Sequence, residues 1–383
     1  MKPERIVVAI DSFKGSLTSL EAGNAAAAGI KRVFPECDVE ICSLADGGEG
    51  TAAALVGSLD GSMVSVKAHD PLGNVIDSEY GIIQKNDKAT AVIEMAAAAG
   101  ITLVSRDRLD IMRASTFGVG ELILDAIKRG IHDFIVCIGG SATNDGGAGM
   151  LEALGFGLLD QHGKPITRGA VGLMELDSVV LSGIPELSEC RFRVACDVTN
   201  PLLGENGCAA VFAPQKGAKD TEIPFLDAWM ENFAKVTKKA IPSADPDFPG
   251  SGAAGGLGFA LKTYLGAELL PGAWLVIGAS GLEEKIRDAD IVVTGEGRID
   301  AQTAMGKAPA EVAKLARKYS KLCIGFSGCI GNGAESCNDV GIDAFFPILR
   351  EVCDIGKALD KDYAARNLSD TAEQVFRLIS VRG

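Results

Sequence analysis

Aromatic residues make up only 5% of this 383-residue chain, and histidine occurs three times, at positions 69, 132 and 162. A histidine-dependent triad or a histidine-rich metal centre is therefore not expected. With so few rings, the core must be built from alanine-rich helices and Val/Ile strands, and no obvious stacking pair awaits a nucleobase. Long apolar runs are also missing. The first one, residues 6–10, is too short for a signal peptide, and no stretch reaches the roughly 18 residues of a membrane span. A cytoplasmic protein without a membrane partner is expected. Positive charge is in short supply, with 37 Lys+Arg against 51 Asp+Glu and a net charge of −14. That balance argues against nucleic acid and anionic membrane as partners. It leaves anionic small molecules open, because local lysines or a metal can reverse the field in a pocket. The ten cysteines contain no C-x-x-C and several lie in apolar runs. They read as small core residues of a reducing compartment rather than a disulfide frame or zinc site.

Several common motifs are absent too. Gly306-Lys307 is followed by Ala308, so no phosphate loop of the G-x-x-x-x-G-K-[ST] type exists. Gly118-Val119-Gly120 meets Ile123 where a dinucleotide fingerprint needs its third glycine. Gly325-Phe326-Ser327-Gly328 has the wrong spacing for a nucleophile elbow.

What the chain does contain is an alternation of short apolar runs with longer helical patterns, the mark of an α/β protein. Strands are expected at 6–10 and 39–44, with helices at 18–34 and from 51. The stretch 64–93 reads instead as an antiparallel meander of three strands. Further strands are expected at 191–195 and 209–212. From about 287 the α/β style returns, with strands at 291–293, 322–326 and 344–348 and helices at 307–319 and 369–379. The likeness of the two ends predicts a discontinuous parallel-sheet domain, 1–66 with 287–383. A second, distinct α/β domain, 67–286, is inserted in it.

Six segments concentrate glycine and polar residues: 11–16, 45–51, 139–149, 195–201, 251–258 and 294–307. Most follow directly on expected strands, and ligands of open parallel sheets bind outside the carboxyl ends of strands. The most telling is the run from Gly139 to Gly149, which reads as strand, glycine loop, helix. Glycines let a backbone approach a ligand closely, and a helix N-terminus offers N–H groups and partial positive charge. Gly139, Gly140, Ser141, Asn144, Gly146 and Gly147 are therefore candidates to cradle phosphate. Asp145 inside such a cradle is unwelcome unless a metal or proton transfer needs it, which points to phosphoryl transfer. Lys14, flanked by Ser12 and Ser16, follows the first strand and suits an anion. Asp46 and Glu49 could hold Mg²⁺ through water or orient a substrate hydroxyl. Asp197 is placed to accept a proton from an attacking hydroxyl, with Asp300 as the next choice. Glu296, Asp300, Thr303 and Lys307 mix carboxylate, hydroxyl and ammonium in one loop, as a metal–phosphate or substrate site requires.

Taken together and in order, these segments resemble the bacterial glycerate kinase type 1 family. The resemblance rests on 11–16, 45–50, 139–147, 197–204, 252–258 and 294–297 with Asp300, Gln302, Thr303, Gly306 and Lys307. It spans nearly the whole chain. It implies an ATP- and Mg²⁺-dependent kinase for D-glycerate, giving mainly 2-phosphoglycerate. It also implies a Rossmann-like α/β domain plus a distinct α/β domain, with the site in the cleft between them. On this reading Asp197, Asp300 and Lys14 are the catalytic candidates. Ser12, Ser16, Gly139, Gly140, Ser141, Asn144, Gly146, Gly147, Thr303 and Lys307 are the substrate or phosphate candidates. Asp46, Glu296 and Asp145 are the metal candidates. A kinase giving 3-phosphoglycerate or using a related hydroxy acid, and a non-catalytic phosphate-ligand sensor, are the rival readings. The oligomeric state is open, and a homo-oligomer is allowed.

Overall fold

The computed structural model describes residues 2–45, 47–48, 50–59, 61–85 and 88–381. By its contacts the chain divides into two compact units, Met1–Asp46 with Val276–Gly383, and Gly47–Leu275. The expected boundaries lay at 66/67 and 286/287. The helix Thr51–Ser58 and strand Ser62–His69 pack and pair within the second unit, which moves the first division toward the N-terminus.

The first unit is a five-stranded sheet in the order Ala344–Pro347, Leu322–Ile330, Ile291–Ile299, Arg5–Ile10, Asp38–Ile41. Every pairing is parallel. The strand Arg5–Ile10 is buried from Ile6 to Ile10, which explains its unbroken apolar sequence: a parallel strand covered on both faces has no polar side. From Arg5–Ile10 the chain steps outward to Asp38–Ile41. From Ile291–Ile299 it steps the other way. The crevice between these two neighbours is a topological switch point. Helix Ser19–Val33 begins in a capping box of Thr18 and Glu21. Its Ala22, Ala26 and Ile30 share one face and pack with Leu368, Ala372 and Phe376 of the helix Lys361–Val381.

The second unit carries a six-stranded mixed sheet in the order Glu268–Leu270, Arg191–Ala195, Asp133–Cys137, Lys88–Glu94, Val75–Lys85, Ser62–His69. The last three strands are the expected antiparallel meander. The first four run parallel, so their carboxyl ends share one edge. A small two-stranded sheet, Gly157–Leu159 with Ser178–Val180, lies beside it. One expected strand is a helix. Residues 208–212 form Cys208–Phe212, because an alanine-rich apolar run this short has no periodicity to distinguish the two states. All ten cysteines are free thiols. Among the described residues, no helix is long and apolar enough to cross a membrane.

Candidate functional site

The switch point of the first unit opens into a cavity of about 710 Å³. Asp11, Ser12, Lys14 and Ser16 line it from the turn after Arg5–Ile10. Glu296, Arg298, Asp300 and Lys307 line it from the neighbouring strand end and the turn beyond. Segments nearly three hundred residues apart thus form one wall. They are held by parallel pairing through Ile10 and Gly295, and Asp11 N–H donates to Gly295 O at 2.8 Å.

The carboxylates here are oriented by specific donors. Thr303 Oγ1 donates to Glu296 Oε1 at 2.6 Å, and Lys307 Nζ donates to Glu296 Oε2 at 3.2 Å. Burial pushes the Glu296 pKa up, while Thr303 and Lys307 pull against it. Thr303 also accepts from Asp300 N–H at 3.1 Å, so it ties both acids into one turn. It is fully buried and does not face the cavity. Asp300 caps the helix Ala301–Ala304 through Gln302 N–H and meets Arg298 Nε at 3.2 Å.

In the second unit the glycine loop follows the strand Asp133–Cys137, as expected, but it is not an open cradle. Residues 141–150 are all buried, and only Gly139 and Gly140 are exposed. The carboxylate of Asp145 accepts from Gly147 N–H at 3.1 Å and Gly149 N–H at 3.2 Å. It also accepts from Thr116 N–H at 2.8 Å and Thr116 Oγ1 at 2.9 Å. Gly146 N–H donates to Gly255 O. The anion expected at this helix start is thus the protein's own side chain. This corrects two expectations: Asp145 is occupied as a loop anchor rather than poised as a metal ligand, and the Gly146 and Gly147 N–H groups face inward. Burial raises the Asp145 pKa and the four donors oppose that rise. Glu94 treats the helix Thr51–Ser58 likewise, accepting from Gly50 N–H and Ala52 N–H at 3.1 and 2.7 Å.

Beneath the loop lies Lys216, only 2% exposed, whose Nζ donates to Thr143 O at 2.7 Å. Desolvation brings its pKa down to about 8, against the attraction of Cys208 and Asp145. Beside it, Thr143 Oγ1 and both amide atoms of Asn144 are buried without a hydrogen-bond partner. Such atoms are rare in native proteins and mark places where a bound polar group or water completes the structure.

Asp197 stands exposed just past the strand Arg191–Ala195, and its Oδ1 accepts from Gly272 N–H at 2.9 Å. The loop 251–258 contains three consecutive left-handed residues, Ala254, Gly255 and Gly256. A Cβ at Gly255 would lie 2.1 Å from Thr143 O, so only glycine allows this contact with the neighbouring loop. Asp46 and Glu49 lie outside the described residues. The structure therefore gathers Ser12, Lys14, Ser16, Glu296, Asp300 and Lys307 around one cavity in the first unit. Gly139, Gly140, Ser141, Asn144, Asp145, Gly146, Gly147 and Asp197 belong to the second.

Residues 6–380 match the model of the glycerate kinase family. The chain belongs to the glycerate kinase family. It is 43% identical to a glycerate kinase of Halalkalibacterium halodurans over 95% of this chain and 97% of that one. It is also 43% identical to the glycerate 2-kinase of Escherichia coli, over 96% of this chain and 97% of that one. Among solved structures, a protein assigned as glycerate kinase 2 from Salmonella typhimurium LT2 superposes with a TM-score of 0.90. Its sequence identity is 42%, and the superposition covers 98% of both chains.

For this glycerate kinase family member the sequence reading overlooked Lys216 and Glu94, and it assigned Arg298 no role. Lys216 sits in Pro214-Gln215-Lys216-Gly217, a turn-like context that signals an exposed lysine. Nothing local foretells its burial. Among the described residues, no group of three or more His, Cys, Asp or Glu is placed to chelate a metal by itself.

Proposed function

We propose that this protein transfers the γ-phosphoryl group of MgATP to D-glycerate, giving 2-phosphoglycerate. The observation that carries the reading is the pairing of a whole-chain family match with a cavity at the strand switch point lined by both cations and carboxylates. The Escherichia coli relative, a glycerate 2-kinase, supports the 2-position as the site of transfer.

A substrate hydroxyl attacks the γ-phosphorus, the bond to the bridging oxygen breaks, and ADP leaves. Asp197 receives the hydroxyl proton; its exposure suits it for this, and Gly272 N–H orients it. Asp300 is the alternative base. Lys14, Lys307 and Arg298, which line the cavity, balance charge on the anions. Ser12 and Ser16 add hydroxyl donors on the same cavity wall. Gly139, Gly140, Ser141 and the unpartnered amide of Asn144 are assigned to substrate contacts.

The donor set fits Mg²⁺. This ion takes oxygen ligands and usually needs only one or two carboxylates besides phosphate, so a dedicated cage is not required. Glu296 and Asp300 would hold it, with Asp46 as a further candidate. When bound it would neutralise charge on the phosphates. We read the two compact units as a Rossmann-like domain and an inserted α/β domain, working in the cytoplasm.

The test is phosphorus NMR of the purified protein with ATP, Mg²⁺ and D-glycerate. A new monoester signal coupled to a secondary carbon is expected. A primary-carbon pattern would change the regiochemistry to 3-phosphoglycerate. No monoester from folded, nucleotide-binding protein would overturn D-glycerate as substrate.

A further inference from the structure

The cavity of the first unit has a second wall that phosphoryl chemistry does not use. Phe13, Ile348, Leu349, Ile355 and Leu359 line it, and they are purely apolar. Ile355 is 74% exposed and Leu359 40%, although both sit at the mouth of a cavity rather than singly on open surface. The segment bearing them returns across the strand ends. Both Cδ atoms of Leu359 would lie 3.9 Å from a Cβ at Gly15, in the same turn as Lys14. Apolar and cationic surfaces therefore meet within a few residues.

We propose that this apolar wall seats the base and ribose of the nucleoside triphosphate, with its phosphates toward Lys14, Arg298 and Lys307. The proposal rests on the kinase reading above and adds where the nucleotide lies. Size argues for it. A cavity of about 710 Å³ is far too large for a three-carbon acid and falls in the range of roughly 300–1,000 Å³ that encloses larger ligands. Chemistry argues for it as well. Glycerate is polar throughout and gains nothing from five apolar side chains. A nucleotide combines a flat, weakly hydrated base with an anionic tail, matching both walls. An apolar peptide would match only the apolar wall and make no use of the polar one.

The test uses the full-length protein with Ile355→Asn and Leu359→Asn, and Val352→Asn as a control. Val352 belongs to the same segment and is fully exposed, but it does not line the cavity. Calorimetric titration is run with MgADP and, separately, with inorganic tripolyphosphate, which lacks base and ribose. Steady-state KM values for ATP and D-glycerate follow. Losing one well-buried aliphatic contact is worth about ten-fold in affinity. Ile355→Asn and Leu359→Asn should therefore weaken MgADP and raise KM for ATP by about that factor. Tripolyphosphate affinity and KM for D-glycerate should stay within about two-fold, the control unchanged. Unchanged MgADP affinity, an equal loss for tripolyphosphate, or a rise confined to KM for D-glycerate would each overturn the proposal. If wild-type protein binds MgADP as described but forms no phosphoglycerate, the kinase reading fails while the nucleotide seat stands.

Discussion

Replacing Lys216 by methionine should change the shape of the stability–pH curve more than its height at neutral pH. Methionine stays unbranched, one atom shorter, and removes the ammonium. In the folded chain burial lowers the Lys216 pKa from 10.5 to about 8. Below pH 8 both folded and unfolded chains carry the proton, and the folded state bears the full desolvation penalty. At about 1.4 kcal/mol per pKa unit, that penalty is about 3 kcal/mol. Between pH 8 and 10.5 the folded state releases its proton first. The unfolded state then binds more protons, and stability contributed by this residue rises with pH. In Lys216→Met the penalty disappears, but Thr143 O loses its donor, at a cost of about 1–3 kcal/mol. At pH 7 the two effects nearly cancel. From pH 7 to pH 10 the wild type should gain about 2–3 kcal/mol relative to the variant, most of the full shift. Urea unfolding followed by tryptophan fluorescence reads the right unit, because Trp229 and Trp274 both lie in 47–275. Taking the difference between wild type and variant removes the other groups that titrate in this range. Parallel curves from pH 7 to pH 10 would refute the assignment of Lys216 as a charged, desolvated group.

Other substitutions separate chemistry from support. Asp197→Ala should lower kcat by about 10²–10⁴-fold while MgADP binding holds and urea stability falls by only about 1 kcal/mol, the worth of the bond from Gly272 N–H; retained turnover would remove it as the base. Asp145→Ala should destabilise the second unit by about 3–5 kcal/mol, because four buried donors lose their acceptor. A variant of unchanged stability but altered Mg²⁺ dependence would restore Asp145 as a metal ligand. Gly255→Ala should cost about 2 kcal/mol or more, since its Cβ meets Thr143 O at 2.1 Å in a left-handed turn; a neutral result would show that the two loops can part.

The α/β class was legible in the sequence because parallel strands buried on both faces must be continuously apolar, as Ile6 to Ile10 and Ile291 to Val293 are. The glycine segments were legible because sharp turns at strand ends need residues free of Cβ. Their order along the chain was enough to point to a family. Partnership was not. Whether the N–H groups of Gly147 and Gly149 face a ligand or Asp145 depends on Thr116, about thirty residues away, pinning that carboxylate inward. Local composition likewise gives Lys216 the look of a surface lysine, and it is buried only because the loops around Thr143 close over it. The wall of Ile355 and Leu359 reads as an ordinary amphipathic fragment until the sheet order brings it beside the turn of Lys14. Backbone preferences and hydrophobic runs act over a few residues, so sequence determined the elements and where their loops fall. Hydrogen-bond satisfaction and desolvation act between segments distant in the chain, so only the tertiary structure decided which polar groups are already engaged and which are left for a ligand.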